Sequence, residues 1–385
     1  MAAEVEDRYV LLTGAKNNAG DFLIAQRAKE LFAWLRPDRA VVTWDRWQPL
    51  SDEQVASINE SRALFLTGGP ALQANLYPGL FPLVTDLERI QVPIIAMAIG
   101  WKSPFGNRSA TRDYPLTESS LSLLTRIENS GYRSSVRDYH TQDVLKSHGF
   151  ENFLVTGCAA LYSRPHIGSD FAVPTPVRNV SYSPGVRFFE SARTDRVQKS
   201  LILKLRDSLP EARLTVVFHH STDEKLYRGT HNPNLKLFEA QQALLRWLDH
   251  QGIAHTDVSG EVERMLTHYS ATDLHVGFRV HAHILMASIR RPSVLIAEDG
   301  RGAAIKDVLG GVVLDACRTQ PTRAKRWARK LGFRANERLE SAELPHNVME
   351  QVQYEIESGY RRVALQRTSM DRHLGVMRSF LEQLP

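Results

Sequence analysis

Short apolar runs alternate with amphipathic stretches along the first half of the chain. The runs are YVLLT (9–13), AVVTW (40–44), ALFLTGG (63–69), VPIIAMAIGW (92–101), SSVRD (134–138) and NFLVTG (152–157). The longest helical pattern, DFLIAQRAKELFAWL (21–35), ends just before Pro37. Near-continuous apolar strands that alternate with helices are typical of a parallel sheet joined by crossover helices. The first half of the chain therefore predicts a Rossmann-like α/β unit.

The same pattern restarts after the proline-rich stretch SRPHIGSDFAVPTPVRN (163–179). The later strand candidates are NVSYSPG (179–185), LTVVFHH (214–220), IAHTDV (253–258), DLHVGF (273–278) and SVLIA (293–297). We therefore predict four parts: an N-terminal Rossmann-like unit (1–165), a linker (166–179), a second Rossmann-like unit (180–344) and a C-terminal helical segment (345–385). Ligands of such paired units bind where the carboxyl ends of the two sheets face each other.

The composition is that of an ordinary folded protein. Of 385 residues, 43% are apolar and 24% are charged, which excludes intrinsic disorder and fibrous architectures. Cys158 and Cys317 lie far apart, so neither a disulfide framework nor a cysteine zinc site is expected, and a reducing cytoplasm fits best. The acidic N-terminus and the lack of an apolar run of about 20 residues argue against a signal peptide and a membrane-spanning helix.

The net charge of +5 is compatible with nucleic acid, anionic lipid and phosphorylated small molecules as partners. Basic residues concentrate between 323 and 338, together with Trp327 and Phe333. A solvated helix face is the favoured interpretation of this stretch, and contact with the inner face of a membrane is the alternative. No nucleic-acid-binding motif accompanies it, so nucleic acid is not an expected partner.

The most informative segment for chemistry is 273–301. A strand ends near Gly277 and a helix begins near Arg279, so Arg279 and His281 lie at a helix N-terminus, which favours an anion. The planar guanidinium of Arg279 suits a carboxylate or a phosphate, so a phosphorylated acid is the expected ligand. His281 has either a catalytic or a structural role. On a helix His283 points away from His281 and is expected in the core, so no metal site is predicted.

Other candidate residues follow other strands. In the loop Asn18-Ala19-Gly20-Asp21, the carboxylate of Asp21 either caps the next helix or acts as a base on a substrate hydroxyl. The Gly68–Gly69 turn allows a close approach of the backbone to a ligand. Arg187 and His219 follow strands of the second unit and are candidate substrate contacts. Neither GxGxxG nor a P-loop pattern is present.

These pieces occur in a recognisable order. They are Asn18-Ala19-Gly20-Asp21, Gly68-Gly69, Val136-Arg137-Asp138, Arg279-Val280-His281, Pro292 and Asp299-Gly300-Arg301. From about residue 9 to about residue 306, the chain resembles the polysaccharide pyruvyl transferase family. The resemblance implies a glycosyltransferase-B-like fold with two facing Rossmann-like units. It also implies transfer of the enolpyruvyl unit of phosphoenolpyruvate onto two hydroxyls of a sugar or glycan, giving a pyruvate ketal in polysaccharide, exopolysaccharide or glycoconjugate biosynthesis.

The resemblance also implies roles for individual residues. Arg279 and His281 match the family's donor-binding and catalytic positions, and Arg187 matches a donor-binding arginine. We expect His281 to act as the acid and Asp21 as the base, without a metal or an organic cofactor. The expected substrate-binding set is Asn18, Gly20, Gly68, Gly69, Arg187, His219, Arg279 and Arg301.

The chain departs from the family pattern in three places. Thr156-Gly157-Cys158-Ala159-Ala160 replaces a P-D-x-A segment, Arg301 replaces a lysine, and Ile289-Arg290-Arg291 replaces a small residue. Two alternatives therefore stay open. One is a nucleotide-sugar-dependent glycosyltransferase in which Glu298 or Asp299 holds a ribose, and the other is a noncatalytic carbohydrate-binding relative.

Overall fold

The computed structural model describes residues 7–316 and 343–385, apart from residues 17, 105, 107, 190 and 231–232. The basic stretch at 323–338 and Cys317 lie outside the described residues, so contact with a membrane stays a prediction. No helix in the described ranges is long and apolar enough to cross a membrane. The cytoplasmic location also stays a prediction.

The first sheet is parallel and has the strand order β2-β1-β3-β4. Its strands are β1 (Arg8–Thr13), β2 (Ala40–Asp45), β3 (Ala63–Thr67) and β4 (Ile94–Met97), followed by the parallel pair β5 (Ser134–Val136) and β6 (Phe153–Val155). The pair continues the sheet beyond β4, because the amide of Arg137 donates to the carbonyl of Ile99 at 2.8 Å. The helices of this part are α1 (Ala19–Leu35), α2 (Asp52–Asn59), α3 (Glu118–Glu128) and α4 (Tyr139–Ser147). The predicted strand at 92–101 is shorter than expected, because Ala98 adopts a φ of 52° and leaves the extended conformation.

The second sheet is also parallel, in the order β12-β11-β10-β7-β8-β9. Its strands are β7 (Asn179–Ser183), β8 (Arg213–Phe218), β9 (Ala254–Asp257), β10 (Leu274–Gly277), β11 (Ser293–Ala297) and β12 (Val312–Asp315). The helices are α5 (Ala192–Ser208), α6 (Glu224–Arg228), α7 (Leu235–His250), α8 (Val262–Ser270), α9 (Val280–Ser288) and α10 (Gly300–Leu309). The sequence pattern did not predict β12.

The chain ends in the helices α11 (Leu344–Glu357), α12 (Arg361–Ala364) and α13 (Gln366–Glu382). Helix α11 packs on α5, whereas α13 packs on α1 and α10. The C-terminal helices therefore contact the helical layers of both sheets. The predicted fold class, two Rossmann-like units with parallel sheets, is confirmed, and the domain boundaries stay predictions.

Candidate active site

The loop after β1 places an acidic side chain at the carboxyl edge of the first sheet. Asn18 caps α1, because its Oδ1 accepts a hydrogen bond from the amide of Gly20 at 3.1 Å. The alternative in which Asp21 caps the helix is therefore wrong. Its carboxylate instead lines a pocket at the edge of the sheet.

His281 lies directly opposite this loop, on the first turn of α9. Its imidazole contacts Gly20 so closely that a methyl group on Gly20 would lie 1.8 Å from Nδ1. Only a residue without a side chain permits this approach. Nε2 of His281 is buried and has no hydrogen-bond partner among the described residues. Gly20 and His281 thus bring the edges of the two sheets into contact. Nε2 of His281 remains for a ligand.

Three arginines place positive charge around His281. Burial is the main cause that lowers the pKa of this histidine to about 3, and the charges of Arg137, Arg301 and Arg279 act in the same direction. Because a buried cation needs a compensating negative charge, the cluster is suited to phosphate and carboxylate groups. In the free protein His281 is therefore neutral.

Arg279 is the residue that precedes α9, as expected. Its backbone amide donates to Ser183 Oγ at 3.2 Å, and one guanidinium nitrogen lies 3.3 Å from Nδ1 of His220. Its Nε is buried without a hydrogen-bond partner in the described part of the chain. Burial lowers the pKa of Arg279. The guanidinium is thus oriented by His220 and retains donor capacity for an anion.

Arg137 joins this cluster from the first sheet. The side chain is only 1% exposed, and its guanidinium lies against Gly100, where a methyl group would come within 2.5 Å of a terminal nitrogen. Nε is 3.4 Å from the carboxylate of Asp138, while one terminal nitrogen has no hydrogen-bond partner among the described residues. The sequence motif Val136-Arg137-Asp138 located this residue but did not indicate its role. Only the fold shows that it acts on His281.

His219, predicted as a substrate contact, points into the core. The side chain is 2% exposed, and its Nε2 lies 2.7 Å from the hydroxyl of Tyr269. The next residue, His220, is the one beside Arg279. Successive residues at the end of a strand point to opposite faces, and a substrate contact by His219 stays a prediction. Burial, together with the charges of Arg279 and Arg301, lowers the pKa of His220 to about 3.

Arg187 lies at the side of the cleft and connects the two halves of the protein. Its guanidinium donates to the carbonyl of Pro104 at 3.1 Å and to the carbonyl of Glu298 at 3.0 Å. The carboxylate of Glu298 accepts the backbone amides of Val186 and Arg187 at 3.1 and 3.0 Å. These contacts hold the loop after β7 in place. A donor-binding role for Arg187 stays a prediction.

Arg301 lies in the first turn of α10. Its Nε and one terminal nitrogen donate to Oδ2 of Asp299 at 2.9 and 2.6 Å, and Nε also lies 3.2 Å from Oδ1. Asp299 also caps α10 by accepting the amide of Arg301 at 2.9 Å. Both acids proposed to hold a ribose, Glu298 and Asp299, are therefore engaged within the protein.

The glycine turn after β3 lies beside Asp21. Gly68 and Gly69 have φ values of 51° and 70°, a left-handed conformation that favours glycine. A methyl group on Gly69 would lie 3.6 Å from Asp21 Oδ1. Burial raises the pKa of Asp21 to about 6, although the charges of Arg46 and Arg301 lower it. A carboxylate with this pKa is suited to accept a proton near neutral pH.

His283 lies in the core, as predicted, where Nδ1 is 2.8 Å from Ser293 Oγ. It points away from His281, since residues two apart on a helix diverge. Within the described part of the chain, no group of three or more His, Cys, Asp or Glu side chains is placed to hold a metal ion.

Solved structures define the class of this fold. UDP-GlcNAc 2-epimerase from Neisseria meningitidis, bound to UDP-GlcNAc, is 10% identical, with a TM-score of 0.50 over 97% of this chain and 100% of that chain. A second structure, described as trehalose-6-phosphate from E. coli bound with UDP-2-fluoro glucose, is 9% identical. Its TM-score is 0.52, over 98% of this chain and 99% of that chain. At these identities the likeness shows the fold alone, which is of the glycosyltransferase-B type.

The sequence match identifies the family. Residues 18–300 match the family model for polysaccharide pyruvyl transferase, a span that begins at the helix cap and includes Arg137, Arg279 and His281, and Arg301 follows directly after it. The protein belongs to the polysaccharide pyruvyl transferase family, and family and fold together indicate a transferase. No curated protein sequence matches the chain.

Proposed function

We propose that the protein transfers the enolpyruvyl unit of phosphoenolpyruvate onto two hydroxyls of a sugar or glycan, forming a pyruvate ketal. The observation that supports this most directly is the neutral His281 with an unpartnered Nε2, in the field of Arg137, Arg279 and Arg301. Phosphoenolpyruvate carries a phosphate and a carboxylate on the carbon next to the one that must be protonated. Arg301 is already paired with Asp299, so the donor would bind chiefly to Arg279 and Arg137, which retain nitrogens without a hydrogen-bond partner among the described residues.

The low pKa of His281 makes its acid role depend on the donor. Without donor, the imidazole of His281 is neutral at neutral pH and lacks the second ring proton, since burial and three cations oppose its charged form. A bound phosphate and carboxylate offset these cations, so the pKa of His281 rises in the complex. The histidine then donates its proton to the methylene carbon of the donor. Phosphoenolpyruvate is thereby protonated only when it is in place.

The atoms and charges of the reaction balance without a cofactor. Protonation of the methylene carbon leaves positive charge on C2, to which the first acceptor oxygen adds as its proton passes to Asp21. The bond between C2 and the phosphate oxygen then breaks, and the second hydroxyl adds to C2. The proton on the new methyl group comes from His281, and the proton that Asp21 takes from the first hydroxyl restores it through solvent, while the proton of the second hydroxyl ends on phosphate. Arg279, Arg301 and Arg137 stabilise the departing phosphate.

Titration calorimetry and phosphate release test this function. Phosphoenolpyruvate should bind to the wild type, and Arg279→Ala should weaken binding about 30-fold or more, since charge-assisted hydrogen bonds are lost. Arg378→Gln is the control, because this exposed arginine stacks on Trp34 at the far end of α1. Binding of nucleotide sugars without a response to phosphoenolpyruvate would contradict the proposal, as would binding without phosphate release for every acceptor tried.

A further inference from the structure

The pocket that Asp21 lines at the carboxyl edge of the first sheet also contains a polar side chain with no role so far. The loops after β1, β2 and β3 form it, and Gly14, Asp21, Arg46, Gly68 and Gly69 are among its lining residues. Neither the donor nor the chemistry proposed above uses Arg46.

Arg46 is held in this pocket without a polar partner. The side chain is 5% exposed, and its guanidinium carbon lies 5.0 Å from the ring centres of both Trp47 and Phe81. It makes no side-chain hydrogen bond to the described residues, and its buried Nε is unpartnered. Gly14 creates the necessary space, because a methyl group there would lie 2.5 Å from a terminal nitrogen of Arg46. The aromatic rings thus fix the direction of the guanidinium and leave its donors unused.

Asp21 interacts electrostatically with Arg46 without pairing with it directly. It lines the same pocket, and its charge opposes the burial that lowers the pKa of Arg46, yet it forms no ion pair with Arg46 within 4.0 Å among the described residues. Asp21 also feels the charge of Arg301 in the donor cluster. A buried cation without a direct ion pair or hydrogen bond favours an anionic ligand. The ligand of this pocket must also reach the carboxylate of Asp21, the proposed base.

We propose that this pocket is an acceptor subsite in which Arg46 binds an anionic group of the sugar, a carboxylate or a phosphate. This inference rests on the proposed function, since it assigns the pocket to the acceptor of that reaction. Arg46 would anchor the anionic group, while Asp21 faces a hydroxyl of the same sugar. The substrate class is therefore an acidic saccharide.

Titration calorimetry with matched sugars tests the subsite. The probes are methyl β-D-glucuronoside, the neutral methyl β-D-glucoside and glucose 6-phosphate, each without donor. The wild type should bind at least one acidic sugar about tenfold or more tightly than the neutral glucoside. The preference should be lost in Arg46→Gln and partly kept in Arg46→Lys, which retains the charge without the planar fork. Arg378→Gln should keep the full preference.

Gly14→Ala gives an independent variant, because it leaves the charge of Arg46 in the protein but occupies the space of its guanidinium. It should also lose the preference, and thermal unfolding establishes which variants are folded. Equal binding of acidic and neutral sugars, no binding of any sugar to the wild type, or an unchanged preference in both folded variants would overturn the subsite.

Phosphoenolpyruvate titrated into the wild type separates the two proposals. If phosphoenolpyruvate fails to bind while the preference for an acidic sugar depends on Arg46, the transfer reaction is wrong and the anionic subsite is supported. If phosphoenolpyruvate binds and the acidic preference is absent, only the subsite is wrong.

Discussion

The imidazole of His281 packs directly on the backbone of Gly20. The first turn of α9, a helix of the second unit, thereby touches the first turn of α1, a helix of the first unit. Each of these turns carries a proposed catalytic group, His281 on one and Asp21 on the other. The contact fixes how far apart the acid and the base lie.

Gly20→Ala should abolish turnover while the fold is kept. The added methyl group would lie 1.8 Å from Nδ1, so the ring must rotate or the two helices must separate. We expect phosphate release to fall about 100-fold or more, because small misplacements of a catalytic group have effects of this size. Gly375→Ala is the matched control, since Gly375 also lies in a helix but has no atom within 4 Å of an added methyl. Turnover of Gly20→Ala close to wild type would show that this contact is not needed.

Binding of phosphoenolpyruvate should be accompanied by proton uptake. The low pKa of His281 in the free protein, about 3, rises when donor charges offset the arginines, so the complex takes a proton from solvent. Titrations near pH 8 in buffers of different ionisation enthalpy measure this uptake, with the donor phosphate already ionised. The proton uptake should disappear in His281→Asn. Equal uptake by the wild type and by His281→Asn would show that a group other than His281 takes the proton.

The pH dependence of kcat, measured with saturating donor, should show an acidic limb from Asp21. Burial raises the pKa of this carboxyl to about 6, so lowering the pH through 6 protonates it and removes the base. In contrast, kcat/KM reports the free enzyme, in which His281 must first take up a proton, so kcat/KM should fall as the pH rises above 6. Asp21→Asn should lower kcat about 100-fold or more and remove the limb. Donor binding measured over the same range serves as the control, and a limb that persists in Asp21→Asn would exclude this role.

The neighbours His219 and His220 should differ in what their loss affects. His219→Ala should reduce the free energy of unfolding by about 2 to 3 kcal/mol, because it opens a cavity and leaves the buried Tyr269 hydroxyl unpaired. His220→Ala should leave stability nearly unchanged and raise the KM for phosphoenolpyruvate several-fold with little change in kcat, because Arg279 loses a contact at 3.3 Å. Denaturant unfolding and steady-state kinetics measure the two effects. The reverse pattern would contradict the assignment.

The chain sequence by itself predicted the alternation of strands and helices, the parallel sheets and the family. The strands and helices follow from local signals, namely the apolar runs and the prolines between them, and the family follows from the order of the short motifs. It also predicted that Asn18, Gly20, Asp21, Arg279 and His281 lie at ends of elements. It did not predict strand β12.

Only the tertiary structure decided which of these side chains share a site. The contact of His281 with Gly20, the approach of Arg137 to the same histidine and the choice of His220 over His219 depend on how two distant segments meet. The pKa values of His281 and Asp21 likewise depend on burial and on charges from other elements. Sequence patterns report short-range periodicity, whereas Coulomb interactions and desolvation depend on separations in space, which only the packing of the two sheets determines.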